Sequence, residues 1–191
     1  MITIIDYKAG NAPSVYHAVA HLGYEAVLAH HTRDIEKSTH IILPGVGSAR
    51  ATMDSLRDMG MIDALEDAVL QQKTHFLGIC VGMQILFEFS EEENTNCLGW
   101  LKGQVVKFDD TKVRVPQMGW NKVWDEHYYF VNSYYAKPKD ENDIWGTADY
   151  NGPFAAAVRR GNIHGTQFHA EKSGEAGLTL LSNFLRLKGG E

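Results

Sequence analysis

The sequence predicts an α/β fold with a doubly wound, mostly parallel sheet and a β-rich second half. Short apolar runs alternate with stretches of helical spacing as far as Phe89, the pattern of strands joined by crossover helices. From Gly103 onward come short β-rich runs separated by Asp, Gly, Asn and Pro. A length of 191 residues with 44% hydrophobic content fits one domain, residues 1–191, with a sizeable core.

Met1 to Ile5 reads as a buried first strand and Asp6 to Asn11 as the loop after it. Pro13 suits the first turn of a helix reaching about Leu22, with Val15, Ala18, Val19 and Leu22 on one face and Gly23 as its stop. Glu25 to Ala29 and His40 to Leu43 are strand candidates, the second ending in Pro44-Gly45-Val46-Gly47. Residues 49–72 carry helical spacing broken near Gly60, and lead to the apolar run Phe76 to Ile79. Gly82 to Phe89 reads as the next helix, and Glu91 to Asn94 as a solvated loop. Strand-like runs follow at Val105–Phe108, Asn121–Trp124, Tyr128–Tyr135, Ile144–Ala148, Phe154–Arg159 and Ile163–Phe168, closed by a helix from about Ala176 to Leu187.

A formal charge of -6 with no cluster of Lys or Arg argues against a general nucleic-acid or anionic-membrane surface. Two cysteines without a Cys-x-x-Cys pair fit a reducing compartment. The N-terminus meets Asp6 too early for a signal peptide or membrane span, so the cytoplasm is the expected location. No phosphate loop, His-Glu-x-x-His or zinc-spaced Cys/His cluster occurs, so no metal or cofactor is expected.

Cys80 falls at the bend after the Phe76–Ile79 run, with Gly78 and Gly82 two residues to either side. Gly-x-Cys-x-Gly is the thiol counterpart of the nucleophile elbow, where a strained turn holds the reactive side chain above the sheet. A lone Cys in an apolar stretch is more often a small buried hydrophobe, the reading that Cys97 keeps. The partner candidates are His169 and Glu171, which project to the same side if the segment after Gly165 stays extended. A thiol nucleophile needs such an imidazole to take its proton and a carboxylate to fix the tautomer. The Pro44–Gly47 segment reads either as an ordinary tight turn or as a backbone that aims an N–H at a developing oxyanion.

A cysteine elbow, a downstream His-x-Glu and an upstream glycine loop resemble the class I, triad-type glutamine amidotransferases. Within that class, Ile5–Asn11, Pro44–Gly47, Gly78–Gln84, Val115–Asn121 and Tyr129–Tyr135 are similar in kind and order to the glutaminase subunits of imidazole glycerol phosphate synthases. The resemblance implies a three-layer, flavodoxin-like central mixed, mostly parallel sheet. It also implies hydrolysis of L-glutamine at Cys80 through a γ-glutamyl thioester, with ammonia passed by a tunnel to a separate (β/α)₈ cyclase subunit. His169 is then base and acid and Glu171 its orienter; Gly45, Val46, Gly47 and Val81 form the oxyanion hole. Gln84, Ser133 and Tyr134 hold glutamine, and Asn11, Trp120, Tyr129 and Lys172 face the cyclase. Such relatives are nearly idle alone, which a reorienting Val46 peptide explains. Three residues depart from the pattern: Ala170 stands where Pro is common, Asn132 where His is usual, and Arg50 where an aromatic is frequent. A silent docking scaffold, or another cysteine γ-glutamyl hydrolase on the same fold, are the competing readings.

Overall fold

The structure is a computed structural model that describes residues 1–8 and 11–188. Ala9 and Gly10, within the loop expected after the first strand, lie outside the described residues. Five parallel strands form its central part: β1 (Ile2–Ile5), β2 (Ala26–Ala29), β3 (His40–Gly45), β4 (His75–Cys80) and β13 (Ile163–Thr166), in the order β2-β1-β3-β4-β13. This is the flavodoxin-like order, with its switch point between β1 and β3. Every residue of β1, β3 and β4 is buried, which is why they read as unbroken apolar runs rather than alternating ones.

Helix α1 (Ala12–His21) follows β1 toward one edge, while α2 (Ala49–Asp58) and α3 (Met61–Glu66) lead from β3 toward the other. Right-handed crossovers running in opposite directions place these helices on opposite faces, giving three layers. The last helix, α5 (Gly174–Leu185), packs beside α1. The break expected near Gly60 is present: that residue has φ +65° and separates α2 from α3.

The remaining strands complete the picture in chain order: β5 (Phe89–Ser90), β6 (Thr95–Asn96), β7 (Gly103–Lys107), β8 (Gln117–Val123), β9 (Glu126–Asn132), β10 (Tyr134–Pro138), β11 (Ile144–Asp149) and β12 (Pro153–Arg160). All but β8 and β9 extend the main sheet beyond β13, mostly antiparallel; β8 and β9 form a separate two-stranded ribbon.

Three expectations are corrected. The helix after Cys80 is a single turn, α4 (Val81–Gln84), because the carbonyls of Ile85, Leu86 and Phe87 accept from the N–H groups of Leu98, Leu101 and Gly99 instead of continuing a helical ladder. The run Tyr128–Tyr135 is not one strand: the chain leaves the ribbon at Asn132 and enters the main sheet at Tyr134. The Glu91–Asn94 segment is a 3₁₀ turn tied into the fold, with the Glu92 carboxylate accepting from the Ala49 N–H at the start of α2 at 2.8 Å.

Candidate active site

Three strand ends stand side by side at the carboxyl edge of the sheet. Gly45 of β3 is in register with Cys80 of β4, whose neighbour Ile79 pairs with Thr166 of β13. Cys80 adopts φ 56° and ψ -111°, a conformation that costs a non-glycine residue about 1–3 kcal/mol and is held by the surrounding packing. The flanking glycines make the bend possible. A Cβ on Gly78 would lie 2.3 Å from the Gly82 carbonyl oxygen, and one on Gly82 would lie 2.1 Å from that of Leu43. The Gly-x-Cys-x-Gly pattern is therefore set by backbone-to-backbone contact.

His169 and Glu171 meet, though not as predicted. The extended strand ends at Thr166, and Ala170–Lys172 form a 3₁₀ turn rather than continuing it. The turn still brings His169 Nδ1 to 2.8 Å from Glu171 Oε1, with both side chains almost fully buried. The Ala170 peptide thus joins the pair without the proline expected there. A second donor, Asn11 Nδ2, reaches the same Glu171 oxygen at 2.7 Å, while Oε2 is buried without a partner among the described residues. Asn11, expected at a partner interface, also turns its side-chain amide into the imidazole–carboxylate network.

Burial is the largest influence on His169 and disfavours its charged form, but the Cys80 sulfur and the Glu171 carboxylate, by hydrogen bonding and by charge, together outweigh it. The balance raises the imidazole pKa to about 10. Cys80 Sγ also contacts the Val131 carbonyl at 3.8 Å and accepts from Gln167 Nε2 at 3.7 Å. Sulfur and ring line the same pocket.

That pocket encloses about 300 Å³ and is lined by Val46, Gly47, Cys80, Val81, Gln84, Ser133, Tyr134, His169 and Lys172 among others. Gln84 is fixed on the wall by donating 3.0 Å hydrogen bonds to the Tyr134 carbonyl and to Gln167 Oε1. Asn132 also lines the pocket and is itself tied down, accepting from Gln117 and donating to the Tyr134 carbonyl. Glu92 was missed in the sequence, where three consecutive glutamates read as a solvated loop. Burial raises its pKa, against the opposing Ala49 hydrogen bond, and it offers the pocket a carboxylate. Its neighbour Ser90 is fully buried and accepts from the Glu92 N–H, a tie that the run of glutamates does not betray.

Gly47 has φ +94°, so the Pro44–Gly47 loop turns sharply over Cys80. The buried Tyr7 phenol has its pKa raised chiefly by burial, with the Thr52 hydroxyl, 3.4 Å from its oxygen, and the Val46 backbone acting in the opposite direction. Trp120 is 58% exposed on the β8–β9 ribbon, its ring 5.9 Å from that of Tyr129. The Tyr129 carbonyl accepts from the His169 N–H at 2.9 Å, linking ribbon and base. Among the described residues no cluster of three or more His, Cys, Asp or Glu is placed to hold a metal ion, and no helix is long and apolar enough to cross a membrane.

A thiol elbow beside a buried imidazole–carboxylate pair, on a sheet of this order, belongs to cysteine-dependent amide hydrolysis. The family model of class-I glutamine amidotransferases matches residues 3–187, and the chain belongs to that family. More particularly, it is 40% identical over 200 residues to the imidazole glycerol phosphate synthase subunit HisH 2 of Methanococcus maripaludis, covering 97% of this chain and 99% of that one. It is 41% identical over 204 residues to the chloroplastic imidazole glycerol phosphate synthase hisHF of Arabidopsis thaliana, covering 98% of this chain and 34% of that longer protein. A solved structure described as a glutamine amidotransferase superposes with TM-score 0.80 at 19% identity over 96% of both chains, a likeness of fold.

Proposed function

We propose that this chain is the glutaminase subunit of an imidazole glycerol phosphate synthase, acting in histidine biosynthesis as one domain in the cytoplasm. It hydrolyses L-glutamine to glutamate and ammonia and passes the ammonia to a (β/α)₈ cyclase partner. The observation that carries the reading is the convergence of Cys80, His169 and Glu171 at the ends of the neighbouring strands β4 and β13, within a chain that matches synthase subunits along nearly its full length.

Each step follows from that geometry. His169 holds the proton taken from the thiol, as its raised pKa favours, and the Cys80 thiolate attacks the side-chain amide carbon of glutamine. The amide oxygen becomes an oxyanion facing the Val81 N–H, the residue after the nucleophile, and the Gly45–Gly47 loop. The tetrahedral intermediate collapses as imidazolium protonates the departing nitrogen, releasing ammonia and leaving a γ-glutamyl thioester. Water, deprotonated by His169, then cleaves the thioester to glutamate and restores the thiol.

Gln84, Ser133 and Tyr134 orient the substrate, and the Glu92 carboxylate is placed to receive its ammonium group. A reorientation of the Val46 peptide that aims its N–H at the oxyanion separates idle from active states. The exposed Trp120 and Met118, two residues apart on one face of the ribbon, support docking of the partner there, with Tyr129 and Lys172 nearby.

The test is Cys80→Ala assayed with the partner subunit. Glutamine-dependent product formation should vanish while synthesis from added ammonium persists, since only the nitrogen source is removed. Loss of both activities overturns the reading.

A further inference from the structure

A second cavity, of about 440 Å³, opens between α5, the β12–β13 face of the sheet and the tip of the β8–β9 ribbon. Volumes of this order, about 300–1,000 Å³, are those of small-molecule sites. Its floor is apolar and buried, with Leu77, Tyr128, Leu180 and Phe184, except for one polar group. That group is His164, 7% exposed, whose Nδ1 is buried without a hydrogen-bond partner among the described residues. Burial lowers its pKa to about 4, against the opposing backbone hydrogen bonds of Asn162 and Phe76, so the ring is a neutral imidazole.

The walls are aromatic and fixed. Trp124 lies 5.0 Å from Trp145, centroid to centroid, and donates its indole N–H to the Trp145 carbonyl at 3.1 Å. Trp124 is held at φ 55°, a left-handed conformation unusual for so large a residue, and remains 40% exposed. Gly146 makes room for it: a Cβ there would lie 2.7 Å from the indole ring. Trp124 sits in the two-residue turn between β8 and β9, which accounts for its φ, and its indole packs on Tyr128, Trp145 and Phe168 while also lining the cavity.

The rim carries both signs of charge. The Arg159 guanidinium stacks 5.4 Å over the Trp145 ring, and Glu126 and Glu175 stand exposed on the same rim. None of the three forms an ion pair among the described residues. A cation, two carboxylates and a flat aromatic wall together describe a ligand with one anionic group, one cationic group and a planar ring.

We propose that this cavity binds a zwitterionic aromatic molecule of the α-amino-acid class, its ring against Trp124 and Trp145, its carboxylate on Arg159 and its ammonium group toward Glu126 and Glu175. The site is remote in chemistry from glutamine hydrolysis but touches its scaffold. Glu175 lies two residues beyond Ser173, whose hydroxyl donates to the His169 carbonyl at 2.6 Å and accepts from the Tyr129 N–H at 3.0 Å. An occupant therefore rests on both segments that hold the imidazole.

Calorimetric titration of the whole chain with L-tryptophan, tryptamine, indole-3-propionate and indole tests this. L-tryptophan should bind one per chain, and each analogue that lacks a charged group should bind at least about tenfold more weakly, the change that one lost charge contact gives. In Arg159→Ala, L-tryptophan should fall to the affinity of tryptamine, while Glu175→Gln should narrow the gap to indole-3-propionate; circular dichroism verifies that both variants fold. No heat and no shift in melting temperature with any probe at millimolar concentration overturns the proposal. So does binding of indole as tight as that of L-tryptophan, or an affinity that Arg159→Ala leaves unchanged.

Discussion

At the level of single residues, the base is set by what surrounds it. His169 would be a poor proton acceptor if burial acted alone; the Glu171 carboxylate and the Cys80 sulfur reverse the sign and hold its pKa near 10. Its proton therefore stays bound as pH rises from the ordinary imidazole range toward about 10, and the ability to protonate a leaving amine is lost only above that. Glu171→Gln removes one of the two groups that favour imidazolium, so the alkaline limb of kcat/KM against pH should move downward and the rate at neutral pH fall. An unmoved limb would sever the carboxylate from the base. Asn11→Ala leaves Glu171 without its second donor and should lower kcat by about tenfold with KM little changed, the size expected when one buried hydrogen bond to a charged group is lost. Little of this coupling was legible in the sequence. Asn11 and Glu171 are 160 positions apart, and only the meeting of the loop after β1 with the turn after β13 joins them.

At the level of elements, what the sequence revealed best was whatever depends on local pattern. The fully buried strands β1, β3 and β4 stood out as continuous apolar runs, and the elbow as paired glycines. The shortness of α4 did not, because its end is decided by loop 98–101 capturing the carbonyls of residues 85–87. The split of Tyr128–Tyr135 was equally hidden, since both halves have the same β-forming composition and differ only in which sheet each joins. Elbow geometry also yields a stability prediction. In Gly82→Ala the new methyl would meet the Leu43 carbonyl at 2.1 Å, backbone against backbone, so neither partner can rotate away. The variant should lose about 1–3 kcal/mol, the typical cost of overpacking, along with glutaminase activity. Urea unfolding of the variant beside Cys80→Ala separates the two effects: the cysteine variant should keep its midpoint.

For the molecule as a whole, pH acts through a histidine cluster at the opposite end of the sheet from Cys80. His40 of β3 stacks on His75 of β4 at 5.1 Å, and the Phe184 ring of α5 lies edge-on to both His40 and His164. Burial depresses the pKa of His40, and that of His164 to about 4, so both are neutral in the fold. Above pH 6.5 neither the folded nor the unfolded chain protonates them and the full stability is present. As pH falls from 6.5 to about 4 the unfolded chain takes up protons that the folded chain refuses, and stability drains away. For His164 alone the loss is about 3 kcal/mol by pH 4. Urea midpoints measured across that window should fall steadily, and His164→Phe should flatten the slope; an equal slope in the variant would move the cause elsewhere.

The β8–β9 ribbon shares no strand pairing with the main sheet, yet its Tyr129 carbonyl grips the His169 peptide while Trp120 projects outward from the facing strand. With the partner docked on the ribbon as proposed, a push on the indole has a short covalent and hydrogen-bonded route to the imidazole, through the paired strands and the Tyr129 carbonyl, that crosses no rung of the larger ladder.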